Sequence, residues 1–117
     1  MNKYLTIEEM EYVSERINEQ EGRNYPCSNQ VVICGFSAPR EKWEEFRNKN
    51  KDRAKYFAKD FIQFDDGERW NWFSTNSYNC RGYRFHKIKV STNINREVFL
   101  QNIYPYCNLY CKEIEWI

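Results

Sequence analysis

The chain carries a single histidine, four glycines and three prolines among 117 residues, and its formal net charge is only +1. The lone His86 provides no pair of imidazoles for a metal and is the only base of its kind for a cysteine or serine nucleophile. The glycines form no phosphate-cradling loop, and neither a Walker motif nor a metal-hydrolase signature is present. No apolar run approaches the ~18 residues of a membrane-spanning helix, and residues 1–9 lack the apolar segment of a signal peptide. A soluble chain that stays in the cytoplasm, with no membrane partner, is therefore expected. A net charge this small gives too weak a field to announce a nucleic-acid partner by itself. Cys27, Cys34, Cys80, Cys107 and Cys111 are an odd number in a chain with no export signal, which reads as free thiols. Cys107 and Cys111 are four apart, but a closed zinc site needs four ligands and there is no second tight pair. No metal and no cofactor are expected.

What is present is a large share of rings and charges: 18% aromatic and 30% charged residues within a 41% hydrophobic chain. That length is about four-fifths of a ~150-residue domain, so one domain spanning 1–117 is expected, with 1–24 as an N-terminal helical extension. The charge is unevenly placed. Residues 1–22 set Lys3 and Arg16 against Glu8, Glu9, Glu11, Glu15, Glu19 and Glu21, whereas 69–96 holds Arg69, Arg81, Arg84, Lys87, Lys89 and Arg96 with no acid.

Local signals outline the elements. Thr6 and Glu9 spell a capping box, Leu5 is placed to staple against Met10, and Ile7, Met10, Val13 and Ile17 recur at helical spacing up to Gly22. The continuous run Val31-Val32-Ile33-Cys34 predicts a central strand covered on both faces. Ser37 and Pro39 open a second helix whose inner side runs through Trp43, Phe46, Ala54, Phe57, Ala58 and Phe61, with the polar stretch Asn48–Asp52 as a candidate break. Phe61–Phe64 and Glu68–Phe73 flank Asp65-Asp66-Gly67 and read as a β-hairpin. Residues 83–90 predict another strand. A third helix starts near Asn95, with Ile94 stapling to Phe99, and ends at Pro105; Lys112–Ile117 is a last strand. The expectation is a mostly antiparallel sheet with helices packed mainly on one face, ferredoxin-like in spirit.

Trp43, Phe46, Phe57 and Phe99 are assigned to packing. Trp70 and Trp72 share one face of their strand, opposite Arg69 and Asn71, and flat rings beside cations are what a base-stacking surface needs. Arg81-Gly82-Tyr83-Arg84-Phe85 resembles the first RNP signature of the RNA recognition motif over those residues alone. Arg84 and His86 depart from its small and aliphatic positions, and Val31–Cys34 lacks the partner aromatic, so no family is assigned.

The leading expectation is a non-enzymatic binding protein for a nucleotide or single-stranded nucleic acid. Trp70, Trp72, Tyr83 and Phe85 would stack on bases, and Arg69, Arg81, Arg84 and Lys87 would hold phosphate. The alternative is a protein–protein inhibitor of a host defence system, acting through the acidic helix and Glu8, Glu11, Glu15 and Glu19. A small metal-independent ribonuclease using Arg81, Tyr83, Arg84 and Lys87 ranks third. Asn (13 residues), Lys (9), Ile (9), Tyr (9) and Phe (8) against three alanines suggest an AT-rich genome, and the chain looks in general terms like accessory proteins of phage or other mobile elements. The aromatic load and the terminal strand further predict a homodimer or larger even-numbered oligomer, with the aromatic hairpin or last strand at its interface.

Overall fold

The computed structural model describes residues 3–19, 31–76, 84–107 and 111–117. Thr6 caps helix α1 (Ile7–Asn18): its hydroxyl accepts from the Glu9 N–H and the Glu9 carboxylate accepts from the Thr6 N–H, both at 3.1 Å. Strand β1 (Val32–Ser37) follows, then helix α2 (Arg40–Lys49), a 3-10 turn at Lys51–Arg53, and strands β2 (Ala54–Phe57), β3 (Phe61–Phe64), β4 (Glu68–Phe73) and β5 (Lys87–Val90). One helical run, α3, joins a turn of α-helix at Arg96–Val98, a π-helical stretch at Phe99–Ile103 and a final turn at Tyr104–Cys107. Strand β6 (Glu113–Trp116) closes the chain.

The strands form one six-stranded mixed sheet in the order β2-β3-β4-β1-β5-β6. Pairs β1–β4, β1–β5 and β5–β6 are parallel, and only β2–β3 and β3–β4 are antiparallel. This is a single α+β domain, but the expected mostly antiparallel sheet is corrected: β5-α3-β6 returns the chain in parallel through a helix. The helices, expected mainly on one face, divide two to one: α1 and α3 cover one face and α2 the other. Alternation along β1 sends Cys34 and Phe36 to the face covered by α2, where they pack with Trp43, Ile62, Phe64 and Trp70. The opposite face carries Phe73, Phe85, Ile88 and Val90 against Val13 and Ile17 of α1 and Phe99 and Ile103 of α3. Both faces of β1 are thus covered, as its unbroken apolar run requires. The N-terminal helix, read as an extension, contributes to this second core.

Gly35 marks a close approach. A Cβ there would meet the Phe85 ring at 2.8 Å, so only a glycine lets that buried ring lie on the β1 backbone. Gly67, at φ 91°, completes the β3–β4 hairpin, whose strands coincide with the expected ones.

Three boundaries differ from expectation. Ser37 is not a helix cap: it lies buried in β1, and Pro39 takes the cap position without a side-chain hydrogen bond. The second helix stops at Asn50, whose amide bonds back to the Phe46 carbonyl at 2.8 Å, and 54–57 becomes an edge strand. Ala54, Phe57, Ala58 and Phe61 have helical spacing, yet pairing of Ala54 with Phe64 and of Phe57 with Ile62 prevails. The α2 side chains fix that choice by satisfying carbonyls of the β2–β3 turn: Trp43 Nε1 and Arg40 donate to Lys59 O at 2.8 and 3.2 Å, and Arg47 to Ala58 O at 3.1 Å. Finally, Pro105 does not end α3, which runs to Cys107. The wider π turn before it relieves the clash and missing N–H that proline brings to an α-helix.

Candidate ligand-binding surfaces

The residues expected to stack on a base are placed mostly inside the molecule. Trp70 is 4% exposed, packed on Phe46, with its Nε1 donating to Glu68 Oε1 at 2.6 Å. Phe85 is fully buried, edge-on to Phe73 at 5.5 Å. Trp72 is half-buried; its Nε1 donates to Ala38 O at 2.8 Å, and the Arg40 guanidinium lies 4.6 Å over its ring. The tryptophan face of β4 is therefore the core side under α2, and the stacking role given to Trp70, Trp72 and Phe85 is corrected. The reason is the parallel register: Cys34 pairs with Trp70 and Phe36 with Trp72, so these rings share a face with the buried side of β1. Arg69 stacks at 3.9 Å on Phe61 on the opposite face, and Arg84 is exposed. Arg81 and Tyr83 lie outside the described residues, as do Cys27, Cys80 and Gly82, so that only Arg84 and Phe85 of the RNP-like stretch are described.

Rings beside cations do occur together, at the other end of the sheet. Strand β2 is an edge, and its Tyr56 and Phe57 are 52% and 38% exposed. Phe57 faces the α2 side, with Arg47 at 4.5 Å and Lys51 at 5.7 Å from its ring centre; Lys55 stands 5.6 Å from that of Tyr56. A bulge between Ala54 and Tyr56 adds one residue to β2 relative to β3. From 47 to 59 the chain carries Arg47, Lys49, Lys51, Arg53, Lys55 and Lys59 against Asp52 alone. Sequence reading missed this surface because it put 54–61 on a helix and counted Phe57 as core. The available signal was the polar, cationic break at 48–52, which is where the helix ends.

Lys87 and Trp70 do meet, in a cleft of about 210 Å³ between the flank of α2 and the bare side of β5 and β6. On that side Lys87 pairs in register with Glu113, and Lys89 with Glu115. Lys87 Nζ bonds Glu68 at 3.3 Å, Lys89 bonds Glu115, and Lys89 lies 5.6 Å from the Trp70 ring centre. Burial works against the Lys87 ammonium, but Glu68 outweighs it and holds its pKa above the ordinary lysine value. The cleft thus balances each lysine with a carboxylate, and its remaining cation, Arg53, lies over the Phe64 ring.

Burial, with Glu68 nearby, pushes the Cys34 thiol up to about 12, far from a nucleophilic thiolate. Cys107 and Cys111 are both buried; a hydrogen bond from Cys107 holds the Cys111 thiol below its usual range. Among the described residues, no group of three or more histidine, cysteine, aspartate or glutamate side chains is placed to hold a metal. Burial first, then Lys112 and Lys87, depress the His86 pKa, and its Nδ1 has no hydrogen-bond partner among the described residues.

Helix α1 presents the opposite charge. Val13 and Ile17 anchor it, and an ion pair at 2.7 Å joins Glu9 to Arg96 of α3, while Glu8, Glu11, Glu15 and Glu19 are all exposed. Ile7 and Tyr12, 71% and 57% exposed, stand among them. Together these features define a small mixed-sheet α+β domain with an acidic helix near one sheet edge and a basic-aromatic strand at the other. No protein-family model matches the chain, and no curated protein is similar to it. Among the described residues no helix is long and apolar enough to cross a membrane.

Proposed function

We propose that this protein is a non-catalytic binding protein that holds a single-stranded nucleic acid or nucleotide on its β2 edge. One observation carries the reading: Tyr56 and Phe57, the two exposed rings of an edge strand, stand among Arg47, Lys51 and Lys55. A ring offers a face to any base, and the lysines and Arg53 supply charge for the backbone phosphates. The rings project to opposite sides of the strand, so each acts as a separate stacking platform.

Fluorescence anisotropy with a labelled single-stranded oligonucleotide tests this. Tyr56→Ala and Phe57→Ala should each weaken binding by ~1–3 kcal/mol, roughly five- to 150-fold, with the fold intact. Lys51→Gln with Lys55→Gln should flatten the dependence of affinity on salt, since fewer counterions are released. Equal binding by all variants would remove the β2 edge from consideration and return attention to 69–96.

A second reading, a protein–protein inhibitor, rests on the exposed glutamates of α1. Glu8 and Glu19 lie about 16 Å apart along the helix at 1.5 Å per residue, a rigid acidic row for a basic partner. Origin in a phage or other mobile element, with a host defence protein as target, belongs to this reading.

A further inference from the structure

We infer that the protein self-associates head to tail, with the β2 edge of one copy seated against α1 and β6 of the next. The two ends of the sheet are complementary in charge and in shape. At the β6 end, a groove of about 420 Å³ has Ile7, Met10 and Trp116 for its apolar part and Glu11 and Glu15 on its rim. Trp116 is held there by a 2.8 Å hydrogen bond from its Nε1 to Ser14 Oγ of α1, so helix and strand form one wall. At the β2 end, Tyr56 and Phe57 project beside exposed Lys51, Lys55 and Lys59. A ring from one copy fills the groove of the next while its lysines meet Glu11 and Glu15. The occupant is a second copy of this chain, whose β2 edge supplies the rings and cations that the groove and its glutamates complement.

Electrostatics also selects this arrangement over a two-fold dimer that joins like ends. Pairing β2 with β2 would bring Lys51, Lys55 and Lys59 against themselves, and pairing α1 with α1 would do the same with four glutamates; edge lysines are a common guard against like-with-like strand pairing. A heterologous contact is not self-complementary: it adds copies into a ring where the rotation closes and into an open filament where it does not, so the mass grows with concentration. It also uses the surface assigned above to nucleic acid, with the acidic row of α1 occupying the phosphate-binding lysines. The inference does not rest on that assignment, since contact between copies requires only the charges and rings.

The test uses the full chain without nucleic acid, followed by sedimentation velocity over a concentration series. Wild type should show at least a doubling of weight-average mass at low salt and return to monomer in high salt. Glu11→Lys with Glu15→Lys, and Lys51→Glu with Lys55→Glu, should each be monomeric alone with unchanged circular dichroism. Mixed, they should recover assembly, because each supplies the charge the other lacks. Should a reversal disturb folding, Glu15→Gln and Lys55→Gln carry the same comparison with a smaller change. A wild type that stays monomeric, a single-end variant that keeps the wild-type mass, or a mixture that stays monomeric overturns the inference. An oligonucleotide should dissociate wild-type assemblies; its binding is measured separately on the Glu11→Lys, Glu15→Lys chain, whose β2 edge is free, so failure of one reading leaves the other measurable.

Discussion

On the α2 side of the sheet the core is made of rings: Trp43, Phe36, Phe46 and Trp70 stand 4.8–5.9 Å apart in successive contacts. On the other side Val13, Ile17, Ile88, Val90, Ile94 and Ile103 carry much of the packing, with Phe73, Phe85 and Phe99 among them. The contrast follows from how many helices are at hand. A single ten-residue helix must cover the α2 side, and each of its inward side chains has to fill a large volume. The opposite side is covered by α1 and the twelve residues of α3 between Arg96 and Cys107, whose more numerous inward positions can be smaller. Among the described residues the aromatic content is thus explained first by a thin helical layer, and then by exposed rings at β2 and at Tyr4 and Tyr12.

Truncating the ring side should have the largest effect. Trp43 is fully buried and also caps the β2–β3 turn, so Trp43→Ala should cost ~3–5 kcal/mol, seen as a lower urea midpoint, and should loosen β2 with it. Loss of no more than the few tenths typical of a surface site would mean that α2 is not the keystone of that face. A smaller cost comes from overfilling the other side. Gly35→Ala puts a methyl 2.8 Å from the Phe85 ring and should destabilise by ~1–3 kcal/mol, an effect that Phe85→Leu in the same chain should partly relieve. Strict additivity of the two changes would show that this contact is not the source.

The smallest effect is one of pH. The folded chain holds the His86 pKa below the ordinary 6.5, so below that value the unfolded chain takes up a proton that the folded chain refuses. Stability present above 6.5 should therefore be lost progressively as pH falls toward the folded-state pKa. Thermal midpoints measured across that window should slope downward toward acid in wild type and less steeply in His86→Gln. Identical slopes would assign the acid sensitivity to other groups.

Much of the fold was legible where local chemistry decides it. The Thr6–Glu9 capping box, the hairpin around Asp65-Asp66-Gly67 and the start of α3 at Asn95, whose side chain accepts from Glu97 and Val98 N–H at 2.9 and 3.2 Å, depend on neighbours in sequence. The candidate site was less legible. Phe57 and Ala58 keep helical spacing with Ala54 and Phe61, and nothing local shows that Trp43, Arg40 and Arg47 will hold the carbonyls of Ala58 and Lys59 instead. Likewise Trp70 and Trp72 alternate as a two-faced strand should, and alternation alone does not say which face is wet.

The caps at Thr6 and Asn95, the hairpin turn at Asp65-Asp66-Gly67, the central β1 and the separation of an acidic start from cationic stretches are written in the residues themselves, because short-range hydrogen bonds, backbone geometry and composition govern them. That β1 runs parallel to β4 and β5, that the tryptophans of β4 lie under α2, and that Tyr56 and Phe57 stay at an open edge are products of long-range assembly. Strand order sets which rings are covered, and it arises from contacts between segments far apart in the chain, whose energies no local pattern records.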